Sequence, residues 1–194
     1  MRQAAEQVLF LAEKSKLKDV DIVVERNESL DLEIQDGKVE KVEQSTSLGL
    51  GIRVLDEGRT GLASTERLNS ESLEHAFKNA CDNAKLQDPT EVIMLDAPEE
   101  IPDSFLLGLY NPRLDQLSLD QLTELGVSIE DSVKKADKRV VSIPYLGVSR
   151  GRNESLLLSS RGVSYAQHSN EVAAWCGPLL QEGDSRKSGM KILN

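Results

Sequence analysis

Between Leu30 and Glu66 the sequence LDLEIQDGKVEKVEQSTSLGLGIRVLDEGRTGLASTE leaves the backbone few choices. Leu30, Leu32 and Ile34 alternate with Asp31, Glu33 and Gln35, the period of two that turns one strand face to a core and the other to water. Asp36-Gly37 follows, a pair that tolerates positive φ and so suits a two-residue hairpin turn. Val39 and Val42 then stand three positions apart, which a flat strand cannot bring to one face. Their spacing predicts either a bulge near Glu40-Lys41 or a strand buried on both faces. Leu48, Leu50, Ile52 and Val54 resume the alternation, with Gly49, Gly51 and Arg53 opposite them. Glycine there leaves a shallow groove that another backbone or a helix can approach closely. Asp56-Glu57-Gly58 turns the chain again, and Arg59–Thr65 leads back. The stretch reads as an antiparallel meander.

The runs DGKVEKVEQSTSLGLGIRV and GRTGLASTE resemble the N-terminal domain of the TldD/PmbA family, also called modulators of DNA gyrase. Members of that family are similar to metallopeptidases working as paired subunits. The resemblance implies a part in proteolysis of unfolded peptides, with zinc held in a C-terminal half that lies beyond this sequence or in a partner subunit. Ala136-Asp137-Lys138-Arg139, placed after a capped helix, resembles the PmbA (TldE) branch, which lacks the zinc motif and pairs with a metal-bearing TldD subunit. By that resemblance the chain is the non-metal-binding subunit that shapes the cleft and the assembly. Its expected partners are a TldD-type subunit or a second copy of itself, and a peptide substrate.

At 194 residues the chain fits one large domain or two small ones. Aromatic residues make up only 4%, so a core must come from Leu, Val, Ile and Ala. The net charge of −10 argues against a nucleic-acid surface, which needs clustered Lys and Arg to release counterions. Lys14, Lys16 and Lys18, the densest basic run, fit a solvated helix end. Cys81 and Cys176 lie far apart, as expected of free thiols in a reducing cytosol rather than a disulfide framework. The longest early apolar run, Val8 to Ala12, is too short for a signal peptide or a membrane span. A soluble, cytoplasmic protein is expected.

In chain order, Ala5, Val8, Leu9 and Ala12 predict a helix over Arg2–Lys16. Val20, Ile22 and Val24 predict a strand ending at Arg26-Asn27. After the meander, Asn69 or Ser70 can cap a helix whose apolar stripe is Leu73, Ala76, Phe77, Ala80 and Ala84. From Gln87 to Gln116, Pro89, Pro98, Pro102 and Pro112 break any long element, Glu91 to Leu95 is a candidate short strand, and Phe105 to Tyr110 is an apolar anchor. Ser118 and Gln121 form a capping box for a helix carrying Leu119, Leu122, Leu125, Ile129 and Val133, weakened at Gly126. Strands are expected over Arg139–Ser149, Glu154–Ser160, Val163–Cys176 and from Leu179 onward. Asn27-Glu28-Ser29-Leu30 recurs as Asn153-Glu154-Ser155-Leu156, each followed by a turn glycine and a valine. The expected fold is α+β, with two antiparallel meander sheets and packed helices. The expected domains are a helix–meander–helix domain over 1–86, a connector over 87–116, and a helix with a second strand set over 117–194.

No catalytic constellation stands out. The only histidines are His75 and His168, on unlike elements, and no HExxH is present. Gly49-Leu50-Gly51 is not a dinucleotide fingerprint, because Val54 and a continuing strand stand where a third glycine and a helix are required. No GxSxG elbow occurs, and Cys176 has no histidine at a telling spacing. No catalytic residue, metal ligand or cofactor is therefore assigned within this sequence. Gly49, Gly51, Arg53 and Arg59 are the residues expected to face a peptide or a partner. Besides a peptidase subunit, the residues permit a peptide-binding module acting through a strand edge, while the acidic balance disfavours a nucleic-acid or gyrase adaptor.

Overall fold

A computed structural model describes residues 1–100 and 107–193. The expected patch from Phe105 to Tyr110 therefore lies partly outside the described residues; within it, Leu107 is exposed and Tyr110 half-buried. The described elements run α1 (Arg2–Lys14), β1 (Asp19–Gln35), β2 (Lys38–Asp56), β3 (Arg59–Thr65), α2 (Ser70–Lys85), α3 (Pro112–Asp115) and α4 (Leu119–Ala136). β4 (Val140–Ser159), β5 (Ser164–Glu182), β6 (Ser185–Ser188) and β7 (Lys191–Leu193) follow. The fold is α+β with an antiparallel sheet.

The two expected sheets are one. Among the described residues, seven strands join in the order β3-β2-β1-β4-β5-β6, with β7 also paired to β5. Three of them run through positions where the sequence suggested breaks. β1 does not turn at Arg26-Asn27, because the Asn27 side chain accepts a hydrogen bond from Asn153 Nδ2 on β4 (2.6 Å) instead of folding onto its own backbone. β4 likewise continues through Arg150–Asn153, and β5 through Gly177-Pro178. The sequence echo thus lies on neighbouring strands, and each copy leads to a turn glycine of positive φ, Gly37 or Gly162.

Both meander turns are as their residues dictate. Asp36 and Gly37 have φ of 49° and 73°, and Glu57 and Gly58 have 49° and 77°, the double positive φ that matches a hairpin's twist. β2 is not buried on both faces, since Val42 is 47% exposed. Val39 packs in one core while Leu48, Leu50, Ile52 and Val54 pack in another, so the buried side of β2 changes from odd to even positions.

The chain divides into two compact units. The first comprises Met1–Asn27, Ser47–Gly108 and Asn153–His168. Its core sets Val20, Ile22, Val24, Leu50, Ile52, Val54, Leu156 and Leu158 of the sheet against Ala4, Ala5, Val8 and Ala12 of α1 and the expected stripe of α2. Asn69 caps α2 by accepting from the Ser72 amide. α1 ends at Lys14, two residues early, because Lys16 takes φ 59° and Leu17 N–H reaches back to the Ala12 carbonyl in a Schellman closure. No strand forms at Glu91–Leu95, where only Met94 is buried.

The second unit comprises Glu28–Thr46, Leu109–Arg152 and Ser169–Asn194. Its core is Leu32, Ile34, Leu122, Ile143, Leu146 and Val148. The capping box at Ser118 and Gln121 forms, but the stripe behind it is not the leucine row. Leu119 and Leu125 are exposed, and the buried line is Leu122, Gly126 and Glu130, spaced by four. At Gly126 the helix lies so close to the sheet that a Cβ would sit 2.6 Å from Ile34 Cγ1. Asp137 closes α4, its carboxylate accepting from the amide and guanidinium of Arg139, whose hydrogen bonds pull its pKa down to about 2. The Ala136–Arg139 run is thus a local helix stop.

Candidate functional site

In the first unit the sheet has one face under α1 and α2 and one face that no described element covers in its core cluster. On that second face β2 presents Arg53, Gly51 and Gly49 in a row. β3 pairs antiparallel with β2, with Leu62 opposite Arg53 and Ser64 opposite Gly51, and β1 flanks β2 on the other side. Val23 on one side, and Ser64 with the 62% exposed Leu62 on the other, border a glycine floor. The result is a trough. One part, about 620 Å³, is lined by Asp21, Val23, Gly51, Arg53, Leu62 and Leu157 among others. It continues through Val23, Gly51 and Ser64 into a second part of about 390 Å³ that also touches Glu25, Gly49 and Glu66.

The floor is open. A Cβ added at Gly51 would meet no atom within 4 Å, and one at Gly49 only the Thr65 carbonyl at 4.0 Å. The close approach expected at these glycines occurs instead at Gly61, on the covered face, where a Cβ would lie 1.9 Å from the Ala80 carbonyl oxygen of α2. Arg53 bounds the trough, its guanidinium paired with the Asp21 carboxylate (Nε to Oδ2 3.0 Å). Arg59 does not join the other three candidates. It donates to the Gln87 and Lys85 carbonyls at 3.0 and 3.4 Å and so closes the C-terminal end of α2.

The second unit holds a smaller cleft of about 200 Å³, lined by Glu28, Ser29, Leu30, Gln44, Asp115, Arg150, Gly151 and Arg152. Its polar groups hold the α3 segment in place. Asp115 accepts from Tyr110 Oη (2.5 Å) and Asn170 Nδ2 (2.7 Å), and Arg152 Nη1 lies 3.9 Å from it. Burial alone would raise the Asp115 pKa, but these hydrogen bonds and the charges of Arg152 and Arg150 outweigh it and hold the carboxyl below its usual range. Arg150 donates to the carbonyls of Asp115 and Leu117, and Asn170 pairs with both backbone groups of Asn111. None of these contacts is visible in a stretch that sequence marks by its prolines and by the apolar run ending at Tyr110.

His75 and His168 are both exposed, one on α2 and one on β5. Cys81 and Cys176 are half-buried free thiols whose pKa burial pushes up. Among the described residues no three His, Cys, Asp or Glu side chains gather as a metal would require. The described donor groups do not fit a zinc site. No helix among them is long and apolar enough to cross a membrane.

Two family models match in tandem: PmbA/TldA metallopeptidase domain 1 over residues 20–84 and the PmbA/TldA metallopeptidase central domain over 112–192. The chain belongs to the PmbA/TldD family. It is 27% identical over 150 residues to the metalloprotease PmbA of Escherichia coli O157:H7 and 26% identical over 150 residues to the PmbA homolog of Haemophilus influenzae. Each alignment covers 73% of this chain and 31% of the relative, so the chain spans about a third of the curated relatives' length. TldE from Thermococcus kodakarensis superposes with a TM-score of 0.79 at 20% identity, over 97% of this chain and 42% of that one. A Thermotoga maritima protein described as a modulator of a DNA gyrase superposes at 0.82 with 18% identity, over 98% and 42%. At such identities the structural likeness speaks to the fold. The trough apart from Leu157, the Gly61 contact and all but the last residue of α2 fall within the domain 1 match of this PmbA/TldD member, and Leu157 and α4 fall within the central-domain match.

Proposed function

We propose that this chain is the N-terminal, recognition part of a PmbA (TldE)-type subunit, which takes an extended peptide on the trough of its first unit while zinc chemistry belongs to a TldD-type partner. The observation that carries it is the open glycine floor at Gly49 and Gly51. It exposes backbone between two side-chain walls, and among the described residues no three His, Cys, Asp or Glu side chains gather beside it as a metal would require. A surface of that kind binds and orients; hydrolysis needs an activated water or nucleophile. The curated relatives named PmbA support the branch. The role is a cytoplasmic one, in proteolysis of unfolded peptides, with a TldD-type subunit as partner.

The test is a reconstitution. A full-length version of this protein is mixed with a TldD-type partner, and cleavage of an unfolded peptide is followed. Cleavage is expected only with the partner's zinc ligands intact, and it should survive H75A and H168A. Cleavage by this chain alone, or loss of activity in either histidine variant, overturns the assignment of the chemistry.

A further inference from the structure

The two ends of the trough differ in charge. At one end the carboxylate of Asp21 is neutralised by Arg53. At the other, Glu25 and Glu66 line the cavity and make no ion pair or hydrogen bond among the described residues. Between them lie Val23 and the bare backbone of Gly51, with Ser64 opposite Gly51 and Leu62 flanking on the Arg53 side. Successive same-face residues of a strand are about 7 Å apart, so Glu25 stands one such step beyond Val23 along β1.

We infer that the trough selects extended peptides carrying a bulky apolar residue followed, two positions later, by lysine or arginine. This selectivity rests on the peptide-binding reading above and specifies its substrate class. Where a larger residue at position 51 would stand, the apolar side chain drops onto the Gly51 backbone beside Val23, within reach of Leu62 one register step towards Arg53. An extended ligand advances at the same rise per residue as the strands beneath it, so its next side chain on the same face arrives beside Glu25 and Glu66. An ammonium or guanidinium there meets two carboxylates that have no other cation to share. An acidic residue at that position meets like charge, which a chain of net charge −10 does nothing to offset. Arg53 does not reverse the preference, because its charge is engaged by Asp21 at the opposite end.

The experiment measures fluorescence anisotropy of labelled glycine–serine peptides containing Leu-Ser-Lys, Leu-Ser-Glu or Ser-Ser-Lys, titrated with the full 194-residue chain. Leu-Ser-Lys is expected to bind roughly tenfold more tightly than Leu-Ser-Glu at low salt, with the ratio shrinking as salt rises. In E25Q/E66Q the ratio should fall to within about twofold, and G51V should weaken both leucine peptides while leaving the thermal midpoint unchanged. Equal binding of the lysine and glutamate peptides, or a ratio that persists in E25Q/E66Q, overturns the selectivity and leaves the peptide-binding reading standing. If no peptide of the set saturates, or G51V changes no affinity, the peptide-binding reading itself falls.

Discussion

The two units bury their helices against sheet in opposite ways. In the first, α1 presents Ala4, Ala5, Val8 and Ala12 and α2 presents Leu73, Ala76, Phe77, Ala80 and Ala84, every one apolar, to sheet residues such as Val20, Ile22, Leu50 and Ile52. The closest contact is backbone on backbone at Gly61. In the second, α4 presents Leu122, Gly126 and Glu130, so a carboxylate lies in the same buried line as a leucine. Glu130 is 3% exposed, yet it accepts from the Asp36 and Gly37 amides of the β1–β2 turn at 3.0 and 2.6 Å and from Lys134 Nζ at 2.7 Å. One interface is held by shape, the other by a charge that has three donors. Burial of a polar group is tolerated where every bond is made, and it becomes a liability when one is removed.

That contrast can be broken most forcibly at Gly61. G61V places side-chain atoms where the α2 backbone already is, and no flexible neighbour can yield; a loss of ~3 kcal/mol or more in urea melts is expected. An unchanged midpoint would show that α2 is free to shift outward. Next is E130A, which strands two turn amides and Lys134 and should cost about 2–3 kcal/mol.

Glu130 also makes the second contact pH-dependent. Burial raises its pKa, but the bonds from Lys134, Gly37 and Asp36 prevail and hold the folded-state value below the ordinary one. Its contribution is therefore complete above the unfolded pKa of about 4.3 and is lost as pH falls through the lower folded value. The gap in stability between wild type and E130Q should shrink on acidification from pH 7 towards 3, and a gap constant over that range would refute the clamp.

Smaller effects sharpen the comparison. G126A meets side-chain carbons of Ile34 and Val148 rather than backbone, so about 1–2 kcal/mol is expected, clearly less than at Gly61. G51V, on the open face, should change stability by no more than about 0.5 kcal/mol, since nothing lies within 4 Å of the added carbon. A large loss there would mean that the trough floor is already covered in solution.

What the sequence made legible follows the same division. Alternating aliphatics and two turn dipeptides declared β1, β2 and β3, and the α2 stripe was readable because its buried residues are all apolar. Glu130 was not, because a glutamate on a helix ordinarily marks the wet side, and only the turn amides facing it make it a buried one. Gly126 read as a weak point for the same reason: its value lies in what packs against it. The strand breaks misplaced at Arg26-Asn27 and near Arg150 come from polar residues whose partners are on the next strand, as Asn27 and Asn153 are. In the trough, the glycines were visible in sequence, but the unpaired state of Glu25 and Glu66 depends on neighbours that no local pattern specifies.

The core of the first unit includes Leu156 and Leu158 beside Val20 and Ile22, and the Val20 amide is bonded to Ser160 Oγ at 2.9 Å. During synthesis, β1 therefore emerges well before the strand that completes its neighbourhood. At translation speeds of roughly 5–20 residues per second, that interval is on the order of 10 s. For that time the nascent chain carries a half-finished hydrophobic layer and an unclaimed strand edge, both of which invite holdase chaperones or aggregation.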